Sequence, residues 1–292
     1  MRSSALSSNR APRLSSSTRL SVSASSKVTS KVHHHTLPVV ILEWYGNGRV
    51  QVGFSGESKP RYSSFHLQPD SNDETIKEDV SSFLSRIYSS HLLLSGKSRS
   101  VVVLETDVTC RQKERKELTT AFLNDLKAPK VLFIPTLCAA PYTLGIRHVA
   151  CVVQILEREA QITIWWRGKV LIPQILILVS LSEEDIVTGI ETCLYEKCPI
   201  DLRSEASSNV LVIGKLPENI HLDTKKDRKW KLRQTPFAPQ FVSWIGASIL
   251  CQTQDLSQEK WLTLHQQAKN ENLKHNVVPE PYDYLSSSRT ID

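Results

Sequence analysis

Leu37-Pro38-Val39-Val40-Ile41-Leu42-Glu43-Trp44-Tyr45-Gly46-Asn47-Gly48-Arg49-Val50-Gln51-Val52-Gly53-Phe54 is the stretch on which the fold turns. Leu37 to Leu42 is an apolar run with β-branched residues, and Gly46-Asn47-Gly48 carries a hairpin-turn signal. Arg49 to Phe54 alternates as a returning strand. A strand, turn, strand unit therefore opens the domain. Ahead of it, Met1 to Leu37 holds twelve serines, no aromatic residue and no apolar period. Such a segment buries too little surface to offset its ordering entropy, so 1–37 is expected to be a disordered, basic, Ser-rich tail. An acid-free, Arg- and Ser-rich start also matches a mitochondrial transit peptide, with a solvated tail as the preferred reading. His33-His34-His35 has no carboxylate nearby and reads as part of that linker.

The charge pattern narrows the function classes. The chain has 292 residues, 36 Lys+Arg against 30 Asp+Glu, and a formal net charge of +6. Six of the cations (Arg2, Arg10, Arg13, Arg19, Lys27, Lys31) precede Leu42, and no acid does, so the remainder is balanced at 30 against 30. A neutral body supplies no general basic face for a phosphate backbone, and no nucleic-acid partner is expected. The most apolar run, Val170 to Leu181, is twelve residues interrupted by Pro173 and Gln174, short of the roughly 20 that a membrane span needs. Six cysteines (110, 138, 151, 193, 198, 251) lie far apart without a CxxC pair, which reads as reduced structural thiols. Cys193 and Cys198 lack partners at zinc spacing, and no metal site is expected.

Beyond the first hairpin, periodicity alternates between helix and strand. Ile76, Val80, Phe83, Leu84 and Ile87 predict a helix over about Thr75 to His91. Val101 to Leu104 follows as a buried strand, and Thr109 with Gln112 has capping-box spacing before a helix facing inward with Leu118, Ala121, Phe122 and Leu126. Lys130 to Ile134 is a strand, and the helical stretch to Gly145 should break at Pro141. Val149 to Ile155, Gln161 to Trp166 and Val170 to Ile172 read as strands. Ser182 ahead of Glu183, Glu184 and Asp185 is a helix start, with the helix stopping at Pro199. Asn209 to Ile213 is a strand ending at Gly214, Trp230 to Arg233 a short strand, Phe241 to Cys251 a buried helix and Gln258 to Asn270 a more polar terminal one. Residues from Pro279 onward read as loose. The expected fold is α/β with a mixed sheet.

Several segments, in order, resemble the actin family. Val52-Gly53-Phe54-Ser55-Gly56-Glu57 with Pro60-Arg61 is similar to its first phosphate hairpin, Arg99 to Tyr142 to its strand, helix, strand stretch, and Ile164-Trp165-Trp166-Arg167-Gly168 to its second hairpin. Phe241-Val242-Ser243-Trp244-Ile245-Gly246-Ala247-Ser248-Ile249-Leu250, followed by Trp261, is the most specific match. Lys197-Cys198-Pro199-Ile200-Asp201 with Arg203, Val210-Leu211-Val212-Ile213-Gly214, and Arg158-Glu159 resemble the actin-related subunits at the pointed end of dynactin. The matches cover most of Pro38 to Asn270 in pieces. The resemblance implies an actin-like, ribonuclease-H-like duplicated fold, truncated, with the small subdomains 2 and 4 largely missing. It divides the chain into an N-terminal lobe (38–172), a shortened connection (173–190), a C-terminal segment (191–270) and a loose tail (271–292).

The resemblance also implies what has been lost. In actin-type ATPases two Gly-rich hairpins cradle phosphates while an Asp on each orients metal-bound water. Here Gly46, Asn47 and Gly48 keep the first turn, but Trp44 stands at the Asp position and Gln51 at the phosphate-facing Lys position. Glu43, one residue away, is expected to turn to the opposite face. In the second hairpin Gln154 stands at the Asp position, and Leu156 and Arg158 replace glycines. Gly214-Lys215 and Pro217-Glu218 stand for a longer Gly-rich turn. The interval Pro173 to Glu191 is too short for an independent core, so either the subdomain is lost or the chain is an incomplete splice product or gene model. Gly46, Asn47, Gly48 and Gly214 are thus read as a vestigial nucleotide site, with no catalytic residue, no cofactor and no metal.

A short polar connection from Tyr62 replaces the filament-loop subdomain. That implies a non-enzymatic cap at a filament's pointed end, located in the cytoplasm and cytoskeleton. Its implied partners are dynactin's actin-like filament and other pointed-end subunits, and indirectly dynein and its cargo. The helix around Trp244 to Leu250 and the one around Trp261 are candidates to support the filament-facing side, against a core-packing reading. A residual ATPase or kinase, mitochondrial if the tail is a transit peptide, is the alternative. An actin-like subunit of a nuclear chromatin complex is a third reading without a positive sign. Glu105/Asp107 and Glu157/Glu159 have the spacing of a solvated strand face.

Overall fold

The computed structural model of the chain describes residues 38–45, 49–65, 80–94, 99–106, 112–157, 159–171, 176–179, 181–217, 220, 222, 228–253 and 263. The tail to Leu37, the turn 46–48, Ile76, Thr109, Arg158, the terminal helix expected from Gln258, Trp261 and the segment from Pro279 lie outside the described residues.

The opening unit forms as expected: β1 (Val40–Tyr45) and β2 (Arg49–Phe54) pair antiparallel with Glu43 opposite Gln51. The connection expected after Arg61 is instead partly regular, because Tyr62–Phe65 forms an edge strand, β3, on β2. Four residues, two of them serines, give little periodic signal, and neighbour pairing decided them. Helix α1 (Val80–Ile87) buries Phe83, Leu84 and Ile87 and widens into a π-turn over Tyr88–Leu92. β4 (Val101–Glu105), helix α2 (Gln112–Thr120) and β5 (Val131–Pro135) complete a five-stranded sheet in the order β3-β2-β1-β4-β5, with β1, β4 and β5 parallel. Every residue of β4 and β5 is buried, the signature of parallel strands covered on both faces.

The second half repeats the plan. β6 (Val149–Ile155), β7 (Ala160–Trp166), β8 (Lys169–Val170) and β9 (Leu176–Leu178) are joined antiparallel, β8 and β9 both on β7. Helix α4 (Glu183–Thr192) is capped by Ser182, whose hydroxyl accepts from Asp185 N at 3.1 Å, and ends through a π-turn at Cys198. Helix α5 (Arg203–Ser208), absent from the sequence reading, leads into β10 (Val210–Gly214), which lies parallel beside β6. A lone parallel bridge from Val210 to Leu232 replaces the strand expected at Trp230 to Arg233. Each sheet therefore holds an antiparallel meander followed, after a helix, by a strand parallel to the first. The chain is a mixed α/β fold with two mixed sheets.

Helix α3 (Thr136–Ala139) tightens at Ala140–Leu144 into a 3-10 turn that contains Pro141 and stops at the left-handed Gly145, as the proline predicts. These turns and helix α6 (Val242–Thr253) touch strands of both sheets. Alternation along β6 divides the core: Ala150 and Val152 face the cluster with α6, while Cys151, Val153 and Ile155 face the cluster with α4. Among the described residues, no helix is long and apolar enough to cross a membrane.

Candidate functional site

The carboxyl ends of β1, β6 and β10 converge where open α/β sheets place ligands. Between them and the start of α6 lies a cleft of about 20 Å³, bordered by Glu43, Tyr45, Gln154, Leu156, Gly214 and Ser243. That is room for about one water, against the roughly 300–1,000 Å³ of sites for small organic ligands. Of the expected nucleotide residues, Gly214 lies in this cleft with φ of +92°, and a Cβ there would sit 2.1 Å from the Ile155 carbonyl oxygen. Gly46, Asn47 and Gly48 lie outside the described residues.

Two expectations are corrected here. Glu43 does not turn away: it is buried at the rim with Tyr45, while Trp44 packs against the main core. The alternation of β1 puts 43 and 45 on the cleft face, so the side chain one position earlier is the one presented. Glu105 is not on a solvated face either. It is 2% exposed, and its two oxygens accept from Arg115 Nε and Nη2 at 2.5 and 2.6 Å, joining β4 to α2. Its proposed partner Asp107 lies outside the described residues; Glu157 is exposed, and Glu159 Oε1 accepts from Gln161 Nε2 at 2.9 Å.

Gln154 occupies the position at which a metal-orienting carboxylate was expected by resemblance, and its amide is engaged at both ends. Its Nε2 donates to the Thr106 carbonyl at 2.8 Å, and its Oε1 accepts from Thr136 Oγ1 at 2.6 Å. The end of β6 is thereby tied to the ends of β4 and β5. Thr136 and Thr106 escaped the sequence reading because these bonds join residues 18 and 48 positions apart. Arg115 did leave a trace: three positions before Leu118, it shares the apolar face of α2. No protein-family model matches the chain.

The segment that follows β2 is fastened to helix α6, at the end of β1 opposite the cleft, where Val40 pairs with Phe54. Trp244 Nε1 on α6 donates to the Glu57 carbonyl at 3.1 Å, the Gly56 amide donates to Ser248 Oγ, and Glu57 accepts from Arg61 Nε at 2.6 Å. Trp244, Ala247 and Leu250 are fully buried and Ile245 nearly so, so on α6 the core-packing reading holds for these side chains.

The described thiols are enclosed. Among the described residues, no group of three or more His, Cys, Asp or Glu side chains could hold a metal ion. Cys151, Cys193 and Cys198 are buried in the second core. A hydrogen bond with Cys193, and then burial, holds the Cys151 thiol well above its ordinary range. Burial raises Cys138 to about 12 and, reinforced by Cys193, Cys198 to about 11. Neutral, enclosed thiols are poor nucleophiles.

Proposed function

We propose that the chain is a non-catalytic actin-related protein that acts as a pointed-end subunit of dynactin and so supports dynein-dependent transport along microtubules. The observation that carries this reading is a repeated strand plan whose two copies meet at a cleft of about 20 Å³. The order 3-2-1-4-5 followed by 3-2-1-4 suits a duplicated ribonuclease-H-like fold. The most specific segment of the resemblance, 241–250, also docks on another of its segments, 52–61, through Trp244, Ser248 and Glu57.

In an ATP-hydrolysing relative the cleft would have to admit a triphosphate and present a carboxylate from each hairpin. Here Gln154 is held between Thr106 and Thr136, and Leu156 stands at the second turn. These described residues do not fit a triphosphate, and no chemical step is assigned to them. The protein's role is then structural, through docking alone.

Affinity isolation of the tagged full-length chain from its own cells tests the reading. Recovery of dynactin's filament subunit with other pointed-end subunits is expected, and its clean absence would sink the proposal. Calorimetry with MgATP is expected to give no binding heat; a saturable heat would favour the ATPase alternative.

A further inference from the structure

Three thiols meet in the second core. Alternation along β6 turns Cys151 to the face that packs against α4, with Val153 and Ile155. Helix α4 ends in a π-turn that begins at Cys193 and closes at Cys198, whose N–H donates to the Cys193 carbonyl at 2.8 Å. The thiols of Cys151 and Cys193 share a hydrogen bond, and Cys198 is near enough to both to act on them electrostatically. Cys151 and Cys193 are fully buried, Cys198 nearly so, and none of the three is in a disulfide.

Two sulfurs already in hydrogen-bond contact need little further approach to become bonded. Enclosure then sets the rate at which an oxidant reaches them. The π-turn is the last turn of its helix, its ring is wider than that of an α-helix, and the chain leaves it through Pro199 to the exposed Ile200, which makes it the part of α4 that opens at least cost. We propose that opening of this turn admits hydrogen peroxide and that Cys151 and Cys193 are then joined as a disulfide, which fastens the end of α4 to β6. One thiol of the pair takes an oxygen from the peroxide and becomes a sulfenic acid, with water released. The second thiol attacks that sulfur, and the hydroxyl departs with the thiol proton as another water. Two electrons thus pass from the two sulfurs to the peroxide. The bond closes a loop that runs through β7, β8 and β9, so it withdraws freedom from the unfolded chain and makes this half of the protein harder to open under oxidising conditions. The proposal is independent of the filament reading.

The test uses the full-length chain, treated with hydrogen peroxide well below its melting temperature, alkylated and digested with trypsin without reduction. Cleavage after Arg147, Arg158, Lys169, Lys197 and Arg203 puts the three thiols on separate peptides, 148–158, 170–197 and 198–203. The first two are expected joined, lighter than their sum by a pair of hydrogens, and parted by dithiothreitol. The oxidised protein is expected to melt about 5 °C or more above the reduced one. Cys193→Ala, which cannot form the link, should gain nothing, and the peptide map of the unaltered chain stands whether or not this variant folds. Thiols that stay open to alkylation, a link that carries 198–203 instead, or the same mixture of links from urea-unfolded as from folded protein overturns the proposal. So does a linked protein that melts no higher than the reduced one.

Discussion

Thr136 Oγ1 lies 2.6 Å from Gln154 Oε1, so the first residue of α3 and the next-to-last residue of β6 are joined inside the protein, both nearly inaccessible to water. With the Gln154 bond to the Thr106 carbonyl, this fixes both ends of the amide of a residue that borders the cleft.

Replacing Gln154 with Leu removes the donor to Thr106 and the acceptor from Thr136 while keeping similar bulk. Leaving buried polar groups unmatched costs about 1–3 kcal/mol each. Thr136 Oγ1 keeps the Glu105 carbonyl at 3.3 Å, so the unfolding free energy from urea titration is expected to fall by an amount in that range, with a matching fall in the midpoint. An unchanged midpoint would mean that the stitch contributes nothing.

Arg115 and Glu105 are each about 2% exposed and bonded in two places. Arg115→Ala strands a buried carboxylate and is expected to cost about 3–5 kcal/mol. The double variant Glu105→Leu with Arg115→Met removes both charges, and its loss should be much smaller. Equilibrium denaturation of the three proteins checks the ordering.

Gly246 and Gly145 separate packing from backbone strain. A Cβ on Gly246 would lie 2.0 Å from the Ala139 carbonyl oxygen, whereas one on Gly145 would meet nothing within 4 Å, although φ is +64°. Gly246→Ala is expected to push α6 off α3 and to cost the upper part of about 1–3 kcal/mol or more. Gly145→Ala should cost only about 1 kcal/mol, the strain of a left-handed residue. Equal melting temperatures for the two variants would contradict this packing.

Alkaline stability should carry the mark of Cys138. Burial raises this thiol from its ordinary 9.0 to about 12, so between these values the unfolded chain releases a proton that the folded one keeps. Stability is then whole below about pH 9 and declines as pH rises toward 12. The slope is up to about 1.4 kcal/mol per pH unit for one thiol. Urea midpoints at pH 8, 9 and 10.5 should show the decline, and Cys138→Ala should make it shallower. A pH-independent midpoint would refute the assignment.

Much of the fold was legible because its signals are local. The apolar run before Gly46, the Ser182 cap, the break at Pro141 and the buried strands at 101–104 and 149–155 each occupy a few consecutive residues, and all recur in the structure. Tyr62–Phe65 and Leu176–Leu178 were not legible as strands, since they are short and depend on β2 and β7 for their pairing. Arg203–Ser208 was likewise missed. Its six residues carry one buried side chain, Ala206, too little for a helical period.

At the cleft the division is sharper. Sequence alone placed Gly214 at a strand end and Gln154 where a carboxylate was sought. Their relation to Thr106, Thr136 and Glu43 exists only once the sheets are assembled. Order along the chain determined which segments are strand or helix, because periodicity and capping act within one or two turns. Tertiary structure decided which face of β1 meets the cleft and that Glu105 is paired rather than solvated. Those outcomes follow from burial and hydrogen bonding between residues far apart in the chain, where the energy of a contact depends on what is brought to it.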